Sequence, residues 1–248
     1  MVLPDGFNRW GGSQYIDSPA TGNYQCYLAD DVLAEVDARF RTLPRRESRA
    51  VVGKSSGGFG ALRLGIDRPE RFSAYASHAG DCAFELCIRP DFVKTATVLD
   101  NAGGVEAFVA RLESQGAPRG QGEFHATMML GLAAAYAPSD RGSRTGGDLP
   151  FDLKTANIQE DVWLRWLAHD PLQMVEADPS AFEDARVVFL DAGRRDEYGL
   201  HFAARLLSTR LKSRGVEVHH EEFDGGHMGT SHRYESSLPF VLQALEAA

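Results

Sequence analysis

The stretch Gly53-Lys54-Ser55-Ser56-Gly57-Gly58-Phe59-Gly60-Ala61-Leu62 follows the apolar run Ala50-Val51-Val52 and leads into residues that can continue as a helix. Four glycines and two serines at such a junction fit a tight strand-to-helix turn that lifts a serine hydroxyl toward a substrate. They also fit a plain flexible turn, because a five-residue match to G-x-S-x-G often arises by chance. A match centred on Ser56 would need glycine where Lys54 stands. Ser55 is therefore the candidate nucleophile, Ser56 its rival, and the backbone N–H of Ser56 a candidate oxyanion donor.

Composition narrows the setting. At 248 residues the chain suits one large domain, or one domain with a substantial insertion. With 43% hydrophobic and 25% charged residues it falls in the ordinary globular class. A formal net charge of -9 offers no basic footprint for nucleic acid and would repel an anionic membrane surface, so neither is an expected partner. Cys26, Cys82 and Cys87 are an odd count without metal-ligand spacing, and they read as reduced thiols. No long apolar span exists, and MVLPDGFNRW lacks the basic and apolar segments of a secretory leader. With Met1 as the start, a cytoplasmic protein is expected.

Val2-Leu3-Pro4 reads as the end of a strand, followed by a long loop through Gly11-Gly12 and Ser18-Pro19 to Gly22-Asn23. Leu28, Val32, Leu33, Val36 and Phe40 recur at helical spacing, which predicts a helix over about 24–42. Ala50 to Gly53 is short and uniformly apolar, as in a buried strand of a parallel sheet. A helix from Ser56 to Asp67, stopped by Arg68-Pro69, and a strand from Phe72 to Ser77 follow. Residues 186–190, 200–211, 216–223 and 233–245 continue as strand, helix, strand, helix. Between 78 and 184 the pattern changes: 105–112, 124–136 and 161–167 look helical, and 139–150 is polar and glycine-rich. The expected fold class is α/β, a parallel sheet flanked by helices. A core of 1–80 and 185–248 would carry a helical cap at 81–184.

In such a sheet the loops after the carboxyl ends of the strands form the ligand crevice. Those loops hold Ser55, then Asp191-Ala192-Gly193-Arg194-Arg195-Asp196-Glu197, then Asp224-Gly225-Gly226-His227-Met228. A serine hydroxyl is a poor nucleophile at neutral pH without a base in hydrogen-bond reach, and the imidazole in turn needs a carboxylate to fix its tautomer. His227 and Asp196 fit those roles, with Asp191 and Glu197 as substitutes for the acid and His232 as second choice for the base. His219 and His220 fall within a strand, and His78, His125, His169 and His201 lie outside the expected final loop. Gly53 and Gly57 permit a crowded turn, and Gly58 lets helix and sheet approach. No ligand cluster with zinc or two-metal spacing is present in the sequence, so no cofactor and no metal are expected.

The segments VLPDGF, GNYQCYLADDVLAEVDARFRTL, RAVVGKSSGGFGALRLGIDRPERFSAYASHAGD, FLDAGRRDEYGLHFAARLL and FDGGHMGTSHRYESSLP together resemble the putative-esterase branch of the α/β-hydrolases. That branch includes S-formylglutathione hydrolases, feruloyl esterase domains, enterochelin esterases and mycolyltransferases. The resemblance runs over nearly the whole chain. It implies Ser55 as nucleophile, Asp196 as acid and His227 as base, in acyl transfer to water through an acyl-enzyme. Relatives commonly have Met where Ser56 stands, and Lys54 places an unusual cation beside the turn.

The resemblance also aligns VLPDG with the fourth strand of that fold, whose preceding strand usually ends in a loop supplying the second oxyanion N–H. Loss of one such donor typically costs about 100- to 1000-fold in turnover. Three accounts follow: Met1 is internal to a longer natural product, the loop from Asp5 to Ser13 supplies a substitute, or the protein is a weakened hydrolase. Gly6 and Trp10, on that loop, join Ser56 and Lys54 as candidate oxyanion and substrate-binding residues. The strand that the family places between the fourth and fifth is also missing, so the sheet must close up or find another partner, such as a second copy in a homodimer. Trp10, Tyr15, Tyr24, Trp163 and Trp166 offer an aromatic wall for a substrate or, as aromatics at helical spacing more often do, a core. His125 and the cap helices are placed as a gate by the resemblance alone.

The leading expectation is a serine carboxylic-ester hydrolase for a small or medium acyl ester, a small-molecule substrate. An acyltransferase of the same fold and a non-catalytic binding protein without a full oxyanion hole are the alternatives.

Overall fold

The computed structural model describes residues 1–139, 144–178 and 180–246. They divide into two compact units, Met1–Tyr24 with Ile88–His169, and Gln25–Cys87 with Asp170–Ala248. These bounds differ from a division drawn at 81 and 184: the first 24 residues group with the helices of the middle segment, and residues 81–87 and those after 169 group with the sheet.

The second unit is built on a parallel sheet. Strands Ala50–Lys54 (β3), Ala74–His78 (β4), Val187–Gly193 (β5) and Val218–Phe223 (β6) lie in the order β3-β4-β5-β6. Register aligns Ala50 with Ala74 and Ala74 with Val187, so the two faces follow residue parity. On one face Ala74, Ala76, Val187 and Phe189 form a core with Val241 and Phe240 of the Arg233–Glu246 helix. The opposite face receives the Ser56–Asp67 helix, whose Gly58 meets Ser77 Oγ and Gly80. Helices on both faces leave the two central strands fully buried, as near-continuous apolar strands require.

The helix expected at 24–42 runs as α-helix Tyr24–Cys26, π-helix Tyr27–Val32 and α-helix Leu33–Arg39. Asp30 in its π segment accepts from Arg68 Nη2 at 3.1 Å and Arg71 Nη2 at 2.5 Å, which ties it to the turn after the Ser56–Asp67 helix. Ala50–Val52, expected to be buried, is half-buried: β3 is an edge strand, with β4 on one side alone among the described residues.

The first unit begins with a correction. Val2-Leu3-Pro4 forms no strand, and Val2 and Leu3 are exposed. Three apolar residues become strand only when a neighbouring strand takes up their N–H and C=O groups, and none pairs with them here. The strands of this unit are the short antiparallel pair Asp17–Ser18 (β1) and Gly22–Asn23 (β2). Ser18 Oγ donates to Ala134 O at 2.7 Å, fixing the pair to the Gly120–Tyr136 helix. Helices Phe92–Asn101, Val105–Gln115 and Gly120–Tyr136 bury Leu99, Phe108, Val109, Ala126 and Leu130, with Trp10 packed against them. Trp163 and Trp166 of the Glu160–Leu167 helix are core residues that meet the ring of Phe92 edge-on. Next to the polar stretch expected at 139–150, Pro138 and Gly147 form an antiparallel bridge, and residues 140–143 lie outside the described residues. Among the described residues no helix is long and apolar enough to cross a membrane.

Candidate active site

Ser55 stands between β3 and the Ser56–Asp67 helix with φ 55° and ψ -124°, a conformation that a side chain other than glycine's seldom adopts. Strain of this kind persists where the surroundings over-determine it. Here Ser55 N donates to His78 O at 2.8 Å, and Ser55 O accepts from Phe59 N at 2.9 Å. The glycines make room: a Cβ on Gly53 would stand 2.1 Å from Gly57 O. The turn therefore presents the serine from the carboxyl end of an edge strand at a helix N-terminus. The first N–H groups of that helix, beginning with Ser56, lack intrahelical acceptors.

The expected partners come from the ends of β5 and β6. His227 Nε2 lies 3.0 Å from Ser55 Oγ, and His227 Nδ1 lies 2.8 Å from Asp196 Oδ2. Both His227 and Asp196 are buried. Asp196 is held from behind, because its Oδ1 accepts from Tyr198 N at 2.9 Å and Leu200 N at 3.4 Å. The Tyr198 ring stands edge-on to the imidazole at 4.9 Å between centroids. Gly193 permits the two loops to meet, since a Cβ there would fall 2.3 Å from Gly225 O.

The substitute acids are engaged elsewhere. Glu197 Oε2 accepts from the backbone N–H of His227 at 2.8 Å, so it fixes the histidine loop, and that bond holds its carboxyl below the usual glutamate value. Asp191 Oδ1 lies 2.7 Å from His78 Nδ1, and Asp191 Oδ2 accepts from Arg233 Nε at 2.7 Å. His78 Nε2 in turn lies 2.9 Å from Ser237 Oγ, a second Ser–His–Asp chain whose three members are all buried. His232 is exposed, with its ring against Phe223.

Two charged residues flank the Ser55–His227–Asp196 chain. Lys54, half-buried and next to Ser55, has its ammonium pushed down by burial, while the Asp196 charge acts in the opposite sense. Asp81, on the loop after β4, is absent from the sequence expectations. Burial pushes its carboxyl up to about 6, against the pull of His227 and with a further push from Asp196. The sequence offers only the run Ser77-His78-Ala79-Gly80-Asp81 at the end of a strand as a pointer. Gly6 and Trp10 belong to the first unit. A Cβ on Gly6 would meet the Tyr15 ring at 2.5 Å, and Trp10 packs its Cβ against Gly131.

A hydroxyl bonded to an imidazole that is itself bonded to a buried carboxylate can lose its proton as it attacks an acyl carbon. Among the described residues no group of three or more His, Cys, Asp or Glu side chains is placed to hold a metal ion.

The family model described as "Putative esterase" matches residues 9–241. Esterase Rv1288 of Mycobacterium tuberculosis is 30% identical over 251 residues, an alignment that takes in the whole chain and 46% of that protein. The chain thus spans about half the length of the curated relatives it matches. Among solved structures, a ferulic acid esterase superposes with a TM-score of 0.54 at 19% identity, over 93% of this chain and 64% of that one. The S-formylglutathione hydrolase of Agrobacterium tumefaciens gives 0.53 at 16% identity, over 95% and 64%. The four-stranded parallel sheet with helices on both faces is accordingly of the α/β-hydrolase type.

Proposed function

The chain belongs to the putative esterase family, and on that premise we propose that it is a serine esterase for small or medium acyl esters. The reading rests on one observation, the hydrogen-bonded line from Ser55 Oγ through His227 to Asp196 at 3.0 and 2.8 Å.

In this reading Ser55 Oγ attacks the ester carbonyl carbon while its proton passes to His227 Nε2. Asp196 holds Nδ1–H and stabilises the imidazolium as it forms. The tetrahedral oxyanion takes the N–H of Ser56 as one donor. When the intermediate collapses, the imidazolium gives its proton to the departing alkoxide, which leaves an acyl group on Ser55. Water repeats the sequence, with His227 as base, and releases the acid. Lys54 is assigned to substrate contact.

Hydrolysis of p-nitrophenyl acetate and butyrate tests the reading. Wild type and Ser56→Ala are expected to turn over, because Ser56 contributes a backbone group. Ser55→Ala and His227→Ala are expected to lose at least about 1000-fold in kcat. Full activity in Ser55→Ala would refute the assignment.

A further inference from the structure

The loop that carries His227 does little to fix itself. Residues 224–232 join β6 to the Arg233–Glu246 helix without a helix or strand of their own. Among the described residues the backbone of 226–229 bonds to no other backbone group, and His227 N donates instead to the Glu197 side chain at 2.8 Å. Gly229 lies at positive φ, 72°, with open space around it. Where the imidazole sits is therefore decided by what grips the loop from outside and at its two ends.

Arg233, the first residue after the loop, reaches back to the residues before it. Its Nη2 donates to Glu221 of β6, and its guanidinium carbon stands 4.8 Å from the ring centroid of Phe223, the last residue of that strand. Its Nε donates to Asp191 Oδ2 of β5 at 2.7 Å. The Arg233 side chain is 12% exposed and that of Asp191 1%, so solvent screens this pair little. Asp191 is itself fixed on its other side, where Oδ1 lies 2.7 Å from His78 Nδ1. The Tyr234 ring, next in the helix, stands edge-on to His78 at 4.8 Å between centroids. A planar guanidinium can hold two carboxylates and lie against an aromatic ring at once, which an ammonium cannot do.

Resting on the esterase reading above, we propose that Arg233 is a positioning residue for His227: it clasps the base of the loop so that Nε2 is held in place both for Ser55 Oγ and for the departing alkoxide. Joining the two ends of the loop removes arrangements that a connection tied only through its chain would sample. Misplacement of a catalytic group by about 1 Å can cost on the order of 100-fold in rate.

The leaving group separates positioning from mere structure. Ethoxide must take a proton from the His227 imidazolium as it departs, whereas p-nitrophenoxide is stable enough to leave without one. The test is kcat/KM on ethyl acetate and on p-nitrophenyl acetate for folded wild type, Arg233→Lys and Arg233→Ala. Arg233→Ala is expected to lose about 30- to 100-fold on ethyl acetate and at least about 5-fold less on p-nitrophenyl acetate, with Arg233→Lys restoring part of the loss. A merely structural arginine would lower both esters by one common factor, that of the active fraction. If Arg233→Ala does not fold, Arg233→Lys and Glu221→Gln, each of which weakens one arm of the clasp, are expected to show the same unequal loss at smaller size. Equal losses on the two esters, or none, overturn the proposal and leave the esterase reading intact. A folded wild type that neither turns over nor reacts at Ser55 overturns both.

Discussion

Separated by 172 positions in the chain, His227 Nε2 and Ser55 Oγ stand 3.0 Å apart. Their meeting depends on the sheet: Ser55 leaves β3, His227 follows β6, and β4 and β5 lie between those strands. In-register parallel pairing brings all the carboxyl ends to one edge, so groups on separate loops converge without any local sequence instruction. Three predictions about what holds this arrangement in place follow from the neighbouring bonds.

The buried chain Ser237–His78–Asp191 copies the residue types of the site but faces the core. Ser237→Ala should cost about 1 kcal/mol of stability and leave ester turnover unchanged. Asp191→Asn removes the anion from both His78 and Arg233 and should cost about 3–5 kcal/mol, as breaking a buried ion pair does. Thermal unfolding of the two variants checks the contrast, with Tm falling by roughly 2–4 °C per kcal/mol in a chain of this size.

Gly53→Ala tests the turn itself. An added Cβ would stand 2.1 Å from Gly57 O, a backbone atom that can yield only if the Ser55 turn moves. The expected outcome is about 1–3 kcal/mol of destabilisation together with loss of turnover, measured by denaturant unfolding and ester hydrolysis. By contrast, Gly215→Ala lies at positive φ with open space around its Cβ position, so it should cost stability without affecting rate constants.

Glu221 predicts a pH effect on stability. Its carboxyl is held below the usual value, chiefly by the bond to His219 at 2.9 Å and then by Arg233. A depressed carboxyl contributes stability that is present above its unfolded value and is lost as pH falls through its folded value. Glu221→Gln should therefore be less stable than wild type at pH 7, and the difference should shrink on acidification below about pH 4.5, the unfolded value. Denaturant midpoints at pH 7, 5 and 3 measure it.

The Ser56–Asp67 helix lies where its small residues and leucines and the Arg68-Pro69 stop predict it, because those signals are local. Alternation of strand and helix was equally legible in the second unit, and the order of Ser55, Asp196 and His227 followed from it. What escaped was non-local. Val52 is the same residue in a central strand or an edge strand, and its half-buried state depends on which strands pair beside it. The Phe92–Asn101 helix buries Phe92, Thr95, Ala96 and Leu99, but interspersed threonines and valines weaken its helical signal. Asp196 is preferred to Asp191 in sequence because it lies deeper in the loop while Asp191 is still on the strand, and the structure engages Asp191 with His78, 113 positions away.

Covalent trapping tests the central claim most directly. Folded wild-type protein is incubated with a fluorophosphonate, and intact mass and peptide mapping then locate the adduct. The account predicts one adduct on Ser55, absent from Ser55→Ala and retained in Ser56→Ala and Ser237→Ala. An adduct on another residue, or none on protein shown to be folded, would contradict it.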